Sequence, residues 1–566
     1  MEAGKRDVTA IFNRARTLEI PFFQRAYVWE EESWERFVDD LISAPLRTTG
    51  YFLGSIILKQ KPVGTGSRIG DVRVVVDGQQ RLTSLVLFFR VLCDELEKFQ
   101  FFDDVFTNLA GDLTLQHNHN DIEVFEALAS GQGMNNALEE RYADNRVLGA
   151  WRYFRSRRKE IARVEPMTLL SRLYFVGIDL GAEEDEQQIF DTINSLGVEL
   201  TAAELLKNHL FDRKDLPLFE ETWKTSFEAS ETQKQYWGRN VTSGRQRRQN
   251  IDLFLQAHLL SEDDGPSDFR VGDLFQGYKD FLEESEVERP QFARRLTLSA
   301  DRYGERVDPS LLEQGIDGDD AHERFNIVVF GLQTTTVLPF YLRILRSVEN
   351  SEEQSRMVRL LESYILRRMV AGESPKNYNN FFASLARGGV DSYAELLVRF
   401  LESDDPSSRF PKDDAVRRGF QETNLTNRQA RVVLYLLEAS IRDSSRHSTA
   451  LAGFKHYTLE HVMPKKWRNH WPSIPEEQAE ERDQVLRKLG NLTLLSSKLN
   501  TSIRDSDWDR KKEGSKARAG LNRYGAGLEI FDQDLREDVW DEARIRARGL
   551  RLAEQAIGSD VWPAIR

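Results

Sequence analysis

One cysteine, Cys93, stands among 566 residues. A lone thiol forms no internal disulfide and builds no cysteine-based zinc site, so neither kind of staple holds this chain. Cys93 lies in the largely apolar run Leu85 to Leu96 and reads as a small core residue. No segment approaches the roughly 18 consecutive apolar residues of a membrane span, and the polar opening Met1-Glu2-Ala3-Gly4-Lys5-Arg6-Asp7 has no secretory apolar run. The chain therefore reads as soluble and cytoplasmic. It also lacks a Gly-x-x-x-x-Gly-Lys-[Ser/Thr] loop, internal repeats and long low-complexity tracts. Basic charge is in deficit as well: a net charge of −14 argues against a protein that coats nucleic acid non-specifically.

Local charge tells a different story. Residues 446–566 hold 22 Lys and Arg against 19 Asp and Glu, a net of +3 that leaves −17 for the remainder. Within this portion Lys498, Arg504, Arg510, Lys511, Lys512, Lys516, Arg518 and Arg523 gather beside Asn500. Such a cluster suits a phosphate backbone, with Lys498, Arg504, Lys511 and Lys512 as the DNA-binding candidates. Asp505, Asp507 and Asp509 interrupt the run, so an ordinary solvated helix face explains it equally well.

The most informative stretch is Thr458-Leu459-Glu460-His461-Val462-Met463-Pro464, followed by Gly490-Asn491-Leu492-Thr493-Leu494-Leu495 and then Asn500. Phosphodiester cleavage needs a hard cation held by oxygen ligands and an imidazole that can take a proton from water. Glu460 and Asn500 offer the oxygens, and His461 offers the base. Neighbours on a strand point to opposite faces, so Glu460 and His461 share a site only at a strand end or turn, which Pro464 suggests. Taken singly, each of these residues is more often a buried histidine or a turn cap. The joint pattern favours a site built as strand, loop, second strand and helix.

A second constellation lies near the N-terminus. Pro21-Phe22-Phe23-Gln24-Arg25-Ala26-Tyr27-Val28-Trp29 precedes a helical pattern around Trp34 to Ile42. Two β-branched runs follow, Tyr51 to Leu58 and Val72 to Val76, and the second ends in Asp77-Gly78-Gln79-Gln80-Arg81 before a helix through Leu96. A strand that stops at glycine and turns into a helix leaves free amides that favour phosphate. Arg81 adds a cation, and Asp77 adds an oxygen for a metal or for water. Phe22, Phe23, Tyr27, Trp29 and Trp34 are dense enough to stack on bases, although most aromatics in such clusters pack the core.

The middle is helical by periodicity. Gln187 to Gly197 reads as a helix ended by a glycine cap, and Thr201 with Glu204 forms a capping box for the next helix. Asn194, Lys207 and Asn208 are left over as polar groups that could face a nucleotide. From Arg247 to about Ala439 the period is again that of helices, and the basic runs Trp151 to Lys159 and Arg245 to Arg248 read as solvated faces. The resulting division is 1–110, an α/β domain with the candidate phosphate site; 111–245, its helical extension; 246–440, a helical scaffold; and 441–566, the domain with the candidate nuclease site.

Both constellations resemble one family. Glu460, His461, Asn491 and Asn500 resemble the HNH (ββα-metal) nuclease motif as it occurs in the C-terminal half of the GmrSD modification-dependent restriction enzymes. Asp77 to Arg81 match the DGQQR motif of that family's N-terminal half, and Gln24-Arg25-x-Tyr27-x-Trp29 matches its opening segment. Phe190, Asn194, Gly197, Leu200, Glu204, Leu205, Lys207 and Asn208 also follow the family pattern, and Arg367-Arg368 and Asn377-Tyr378-Asn379-Asn380 echo it.

The resemblance implies an α+β multidomain fold: a ParB/sulfiredoxin-like α/β N-terminal domain, a mainly helical middle and an HNH nuclease domain on one polypeptide. It implies His461 as general base, Asn491 as the asparagine that orients loop and base, and Glu460 and Asn500 as holders of Mg2+, with Mn2+ as a substitute. An amide oxygen at Asn500 replaces the family's histidine, which a hard cation accepts. It further implies a nucleoside triphosphate of unspecified base, bound by Gln24, Arg25, Asp77, Gly78, Gln79, Gln80 and Arg81, with Asp77 catalytic in its hydrolysis. The expected partner is DNA, in particular modified phage DNA, and cutting both strands would suit a homodimer. The alternative is a ParB-like NTPase, sensor or adaptor whose HNH-like domain binds DNA without cutting.

Overall fold

The β-branched runs become neighbours in one sheet. Strands β1 (Glu2–Asp7), β2 (Arg16–Glu19), β3 (Tyr51–Gln60), β4 (Asp71–Asp77), β5 (Leu115–Gln116) and β6 (Leu173–Leu180) lie in the order β1-β6-β3-β4-β2-β5. This is a computed structural model, and it describes residues 2–565 apart from 23, 62–70, 135, 183–200, 245, 267–272, 404, 443–450, 497–502, 504, 516–517, 525–527 and 559–560. Strand β2 runs parallel to both β4 and β5, and β3 runs parallel to β6, while β3–β4 and β1–β6 are antiparallel. The carboxyl ends of β2, β4 and β5 therefore open on the same edge, where open α/β sheets take their ligands.

Helices α1 (Glu31–Ser43), α2 (Gln79–Glu95) and α3 (Arg146–Ser156) close one core with this sheet. Leu82, Leu85, Phe88, Phe89 and Leu92 of α2 are fully buried there, as is Cys93, whose thiol burial pushes up to about 12. Strand β6 sits between β1 and β3, so residues 173–180, within the expected extension 111–245, are internal to the sheet that the first hundred residues begin. The compact unit runs from Met1 to Glu221 and includes α4 (Ala202–Leu210), started by the expected Thr201/Glu204 capping box.

The second unit, Thr222–Arg566, is described by itself. Its elements include a hairpin, β7 (Asn240–Ser243) and β8 (Gln246–Gln249), and the helices α5 (Asn250–Ser261), α6 (Leu338–Ser347), α7 (Ser351–Val370), α8 (Tyr378–Arg387) and α9 (Asn427–Ile441). Strands β9 (Tyr457–His461) and β10 (Leu492–Ser496) follow, then α10 (Trp508–Glu513) and α11 (Glu542–Ile557). Buried arginines knit this unit together. Arg324 pairs with Glu362 on α7 and donates to Leu436 O on α9 at 3.1 Å. Arg367 donates to Trp562 O at 2.6 Å and Pro411 O at 3.2 Å, and Arg368 to Arg409 O at 2.8 Å. The guanidinium forks satisfy loop carbonyls, so the Arg367-Arg368 pair works as scaffold.

His117, just past β5, is fully buried with Nε2 against Thr83 Oγ1 at 2.8 Å, and burial holds its pKa down to about 4. An unfolded chain protonates this ring near 6.5 while the folded one resists, so stability falls as pH drops from 6.5 towards 4. The loss from this residue is on the order of 3 kcal/mol. Chemical denaturation at several pH values is expected to show this slope in the parent and a flatter one in His117→Gln.

Candidate active site

Strand β9 pairs antiparallel with β10, setting His461 opposite Leu492 and Glu460 opposite Thr493. His461 is the last residue of its strand, which releases the alternation that would otherwise keep the two side chains on opposite faces. The turn that follows is held by Asn491, which is fully buried. Its amide oxygen accepts from Met463 N at 2.8 Å and from Trp540 Nε1 at 3.1 Å. Its amide nitrogen donates to Met463 O at 2.8 Å and Leu486 O at 3.0 Å. The main-chain oxygen of Asn491 takes Val462 N at 2.9 Å. The side chain's capacity is thus fully spent, half of it on Met463 just after His461 and half on Leu486 and Trp540, which ties that turn to the rest of the domain.

The same turn is pressed onto α11. A Cβ on Gly490 would lie 2.0 Å from Ile545 O, so only glycine fits that approach. From α11 the buried Arg548 donates to Gly490 O at 2.9 Å and Leu492 O at 2.7 Å, and Asp534 balances its charge at 2.8 Å.

The electrostatics at the strand end are set by burial. The His461 ring makes no hydrogen bond to a described residue, and burial, reinforced by Lys465 and Lys511, holds it down to about 4, so it is uncharged at neutral pH. The cation on Glu460 is Lys511 of α10, whose Nζ lies 2.6 Å from Glu460 Oε1 and 2.8 Å from His461 O. Burial pushes the Glu460 carboxyl up and the Lys511 ammonium down, and their short contact opposes both shifts. Lys511 is fully buried, so it cannot lie along a DNA backbone as its charge cluster suggested. Lys512 donates to Glu537 O at 2.9 Å with its ammonium over the Trp508 ring, which commits it to holding α10. Asn500, Lys498 and Arg504 lie outside the described residues, as does Asn194. Among the described residues no group of three His, Cys, Asp or Glu side chains gathers as a metal cluster.

At the sheet edge of the first unit, β4 ends at Asp77 and Gly78 turns the chain with φ +104°, where a Cβ would press on Ile56 at 3.2 Å. No side chain caps the following 17-residue helix α2, which leaves its first amides without a side-chain partner. Arg81 NH2 pairs with Asp77 Oδ2 at 3.1 Å and lies against Gly54, where any side chain would collide with the guanidinium. Gln80 Oε1 receives Val28 N at 2.8 Å, so the opening segment is fastened to the motif. Three buried polar atoms here find no partner among the described residues: Arg25 Nε, Gln79 Oε1 and Gln80 Nε2. Gln24 is buried and its Oε1 accepts from Arg25 N at 3.3 Å.

The loop His117–Asp121 joins the same edge. Asn118 Nδ2 donates to Arg25 O at 3.0 Å, Asp121 Oδ2 receives Tyr27 N at 2.6 Å, and His119 N donates to Phe22 O at 2.8 Å. In the sequence this loop shows only three hydrogen-bonding residue types beside a two-residue strand. The aromatics Tyr27 and Trp34 prove to be structural, with Trp34 Nε1 donating to the buried Tyr27 hydroxyl at 3.1 Å. On α4, Lys207 is buried and Asn208 Oδ1 is a further buried atom without a partner among the described residues.

Two family models match this chain. One, described as the GmrSD restriction endonuclease N-terminal domain, covers residues 8–211, and the other, the GmrSD restriction endonucleases C-terminal domain, covers residues 410–555. The chain belongs to the GmrSD restriction endonuclease family. No curated protein matches it. The GmrSD N-terminal match takes in strands β2 to β6 of the sheet and α4, and the C-terminal match takes in β9, β10 and most of α11, so each constellation lies inside its own family domain. Membership makes the chain a restriction endonuclease, hence a nuclease with DNA as substrate. No described helix is long and apolar enough to cross a membrane.

Breaking a buried ion pair by removing one partner strands the other charge. Lys511→Met is expected to cost about 3 kcal/mol in chemical denaturation for that reason. The double variant Glu460→Gln/Lys511→Met should recover most of the loss, since it leaves no charge behind.

Proposed function

We propose that this GmrSD protein hydrolyses DNA phosphodiesters with an HNH one-metal site at the end of β9, and that a nucleoside triphosphate at the DGQQR edge gates the cut. The observation that carries the nuclease reading is the fully satisfied, buried Asn491 amide, which ties the turn after His461 at Met463 to Leu486 and Trp540. A fixed turn presents an uncharged imidazole and an adjacent carboxylate at the same strand end.

In this mechanism His461 accepts the proton of the attacking water while Asn491 keeps the ring's turn from shifting. Glu460 and Asn500 would hold Mg2+ or Mn2+, which supplies charge to the phosphate oxygens as they become more negative. Lys511, bound to Oε1 of Glu460, leaves Oε2 for that ion. The donor chemistry of a carboxylate and an amide oxygen suits a hard cation.

The nucleotide reading is supported by the uncapped start of α2 and by the three orphaned polar atoms of Arg25, Gln79 and Gln80. Two of them are donors suited to phosphate oxygens, and Arg81 adds charge beside Asp77. Asp77 would orient the water that attacks the terminal phosphate. The sensing of modified phage DNA and assembly as a homodimer remain part of this proposal through the family alone. The contact of Lys511 with Glu460 favours one competing reading, in which the domain grips DNA without cutting it.

Plasmid cleavage with Mg2+ separates the two. His461→Ala is expected to lose about a hundred- to ten-thousand-fold in rate while still binding DNA; equal cleavage by parent and variant removes the catalytic assignment. Arg81→Ala is expected to weaken triphosphate binding about tenfold, measured by calorimetry. Cleavage that ignores every added triphosphate defeats the gating.

A further inference from the structure

Two sequence features that the nuclease and nucleotide sites leave unused meet in one cavity of the second unit. The cavity holds about 250 Å3 and draws its walls from the β7–β8 hairpin, α5, the turn before α6 and α8. Arg248, from the basic run, stands on one side, and Asn379 and Asn380, from the Asn-Tyr-Asn-Asn segment, stand on another. More than 120 residues separate them along the chain.

Arg248 is built into place rather than left waving. Its NH1 donates to Gln256 Oε1 at 3.1 Å and its NH2 to Gln246 Oε1 at 2.5 Å. Both partners are neutral amides, and among the described residues no carboxylate lies within ion-pair distance of this guanidinium; Asp252 acts on it only from farther away. Arg248 lines the cavity, and none of its nitrogens is buried without a partner among the described residues. A fixed, half-buried guanidinium with no carboxylate beside it attracts an anion, and its fork matches phosphate geometry.

The remaining walls describe the rest of the ligand. Leu253, Leu338 and Pro339 give an apolar face, while Ser243 and Thr335 close one side through a hydroxyl–hydroxyl bond of 2.5 Å. Side-chain amides such as Asn379 and Asn380 read base edges, and an apolar face accepts a flat ring. The volume falls just below the roughly 300–1,000 Å3 of drug-sized sites, which exceeds what a bare phosphate fills. We propose that this cavity binds a single nucleoside monophosphate unit, its phosphate on Arg248 and its base between the apolar face and the Asn379–Asn380 amides. The unit is either a free mononucleotide or one nucleotide displaced from a DNA strand.

Calorimetry on the full-length protein, with dAMP, dCMP and inorganic phosphate as titrants, tests this. The parent is expected to bind at least one mononucleotide more tightly than inorganic phosphate. Arg248→Met should weaken that binding about tenfold with an unchanged melting curve, while Arg81→Met should leave it intact. Thr336→Trp, which fills the cavity without touching the guanidinium partners, should weaken it as well. The proposal is overturned if no mononucleotide outbinds phosphate, or if Arg81→Met abolishes binding that Arg248→Met and Thr336→Trp retain. A short duplex with one unpaired nucleotide, compared with its fully paired counterpart, assigns the source. A preference that Arg248→Met removes identifies DNA, and equal binding of the two duplexes alongside intact mononucleotide binding identifies the free nucleotide.

Discussion

One buried amide carries the C-terminal half. Asn491 has two donor protons and one acceptor oxygen, and all are spent on Met463, Leu486 and Trp540. An amide in the interior costs several kcal/mol if left unpaired, so a residue satisfied this fully fixes its surroundings in one arrangement. What it fixes is the turn after His461. The contact of Gly490 with α11 and the three-carbonyl grip of Arg548 back the same turn from behind. The chemistry proposed for this strand end depends on that rigidity, because a base displaced by an ångström loses its reach.

The sheet edge of the first unit uses the same device with less completeness. Gln80 spends its oxygen on the backbone of Val28 and Trp29, and Asn118 and Asp121 spend theirs on Arg25, Tyr27 and the loop itself. Three polar atoms are left over, at Arg25, Gln79 and Gln80, within the segments so fastened. The contrast is informative. Asn491 spends its whole capacity on holding a turn, whereas the glutamines of Asp77–Arg81 keep part of theirs unspent beside an uncapped helix end.

Much of the local structure was legible from residue order. The strands starting at Tyr51 and Asp71, the helix after Gly78, the Thr201/Glu204 capping box and the ending of β9 at His461 all follow from short-range patterns. The helix expected over 187–197 lies outside the described residues. The partners of these elements were not legible. Nothing in Leu173–Leu180 says that it inserts between β1 and β3, because pairing across such separations leaves no periodic trace. Lys511 looked like one of eight surface cations near Asn500, and its burial against Glu460, 51 residues away, is set by the packing of α10. The motif residues themselves were readable because their chemistry demands particular side chains. The residues that position them, Arg548, Trp540, Asn118 and Gly54, serve geometry alone and stood out only once the chain was folded.

The central claim is that the end of β9 and the segment around Asn500 share one hydrated divalent ion. Anomalous scattering from crystals of the protein grown with Mn2+ and a cleavage-resistant DNA oligonucleotide tests it most directly. The account predicts one Mn2+ peak bridging Glu460 Oε2, Asn500 and a DNA phosphate, with the His461 ring facing a water beside that phosphate. A peak elsewhere, or DNA seated with no ion against Glu460, contradicts it.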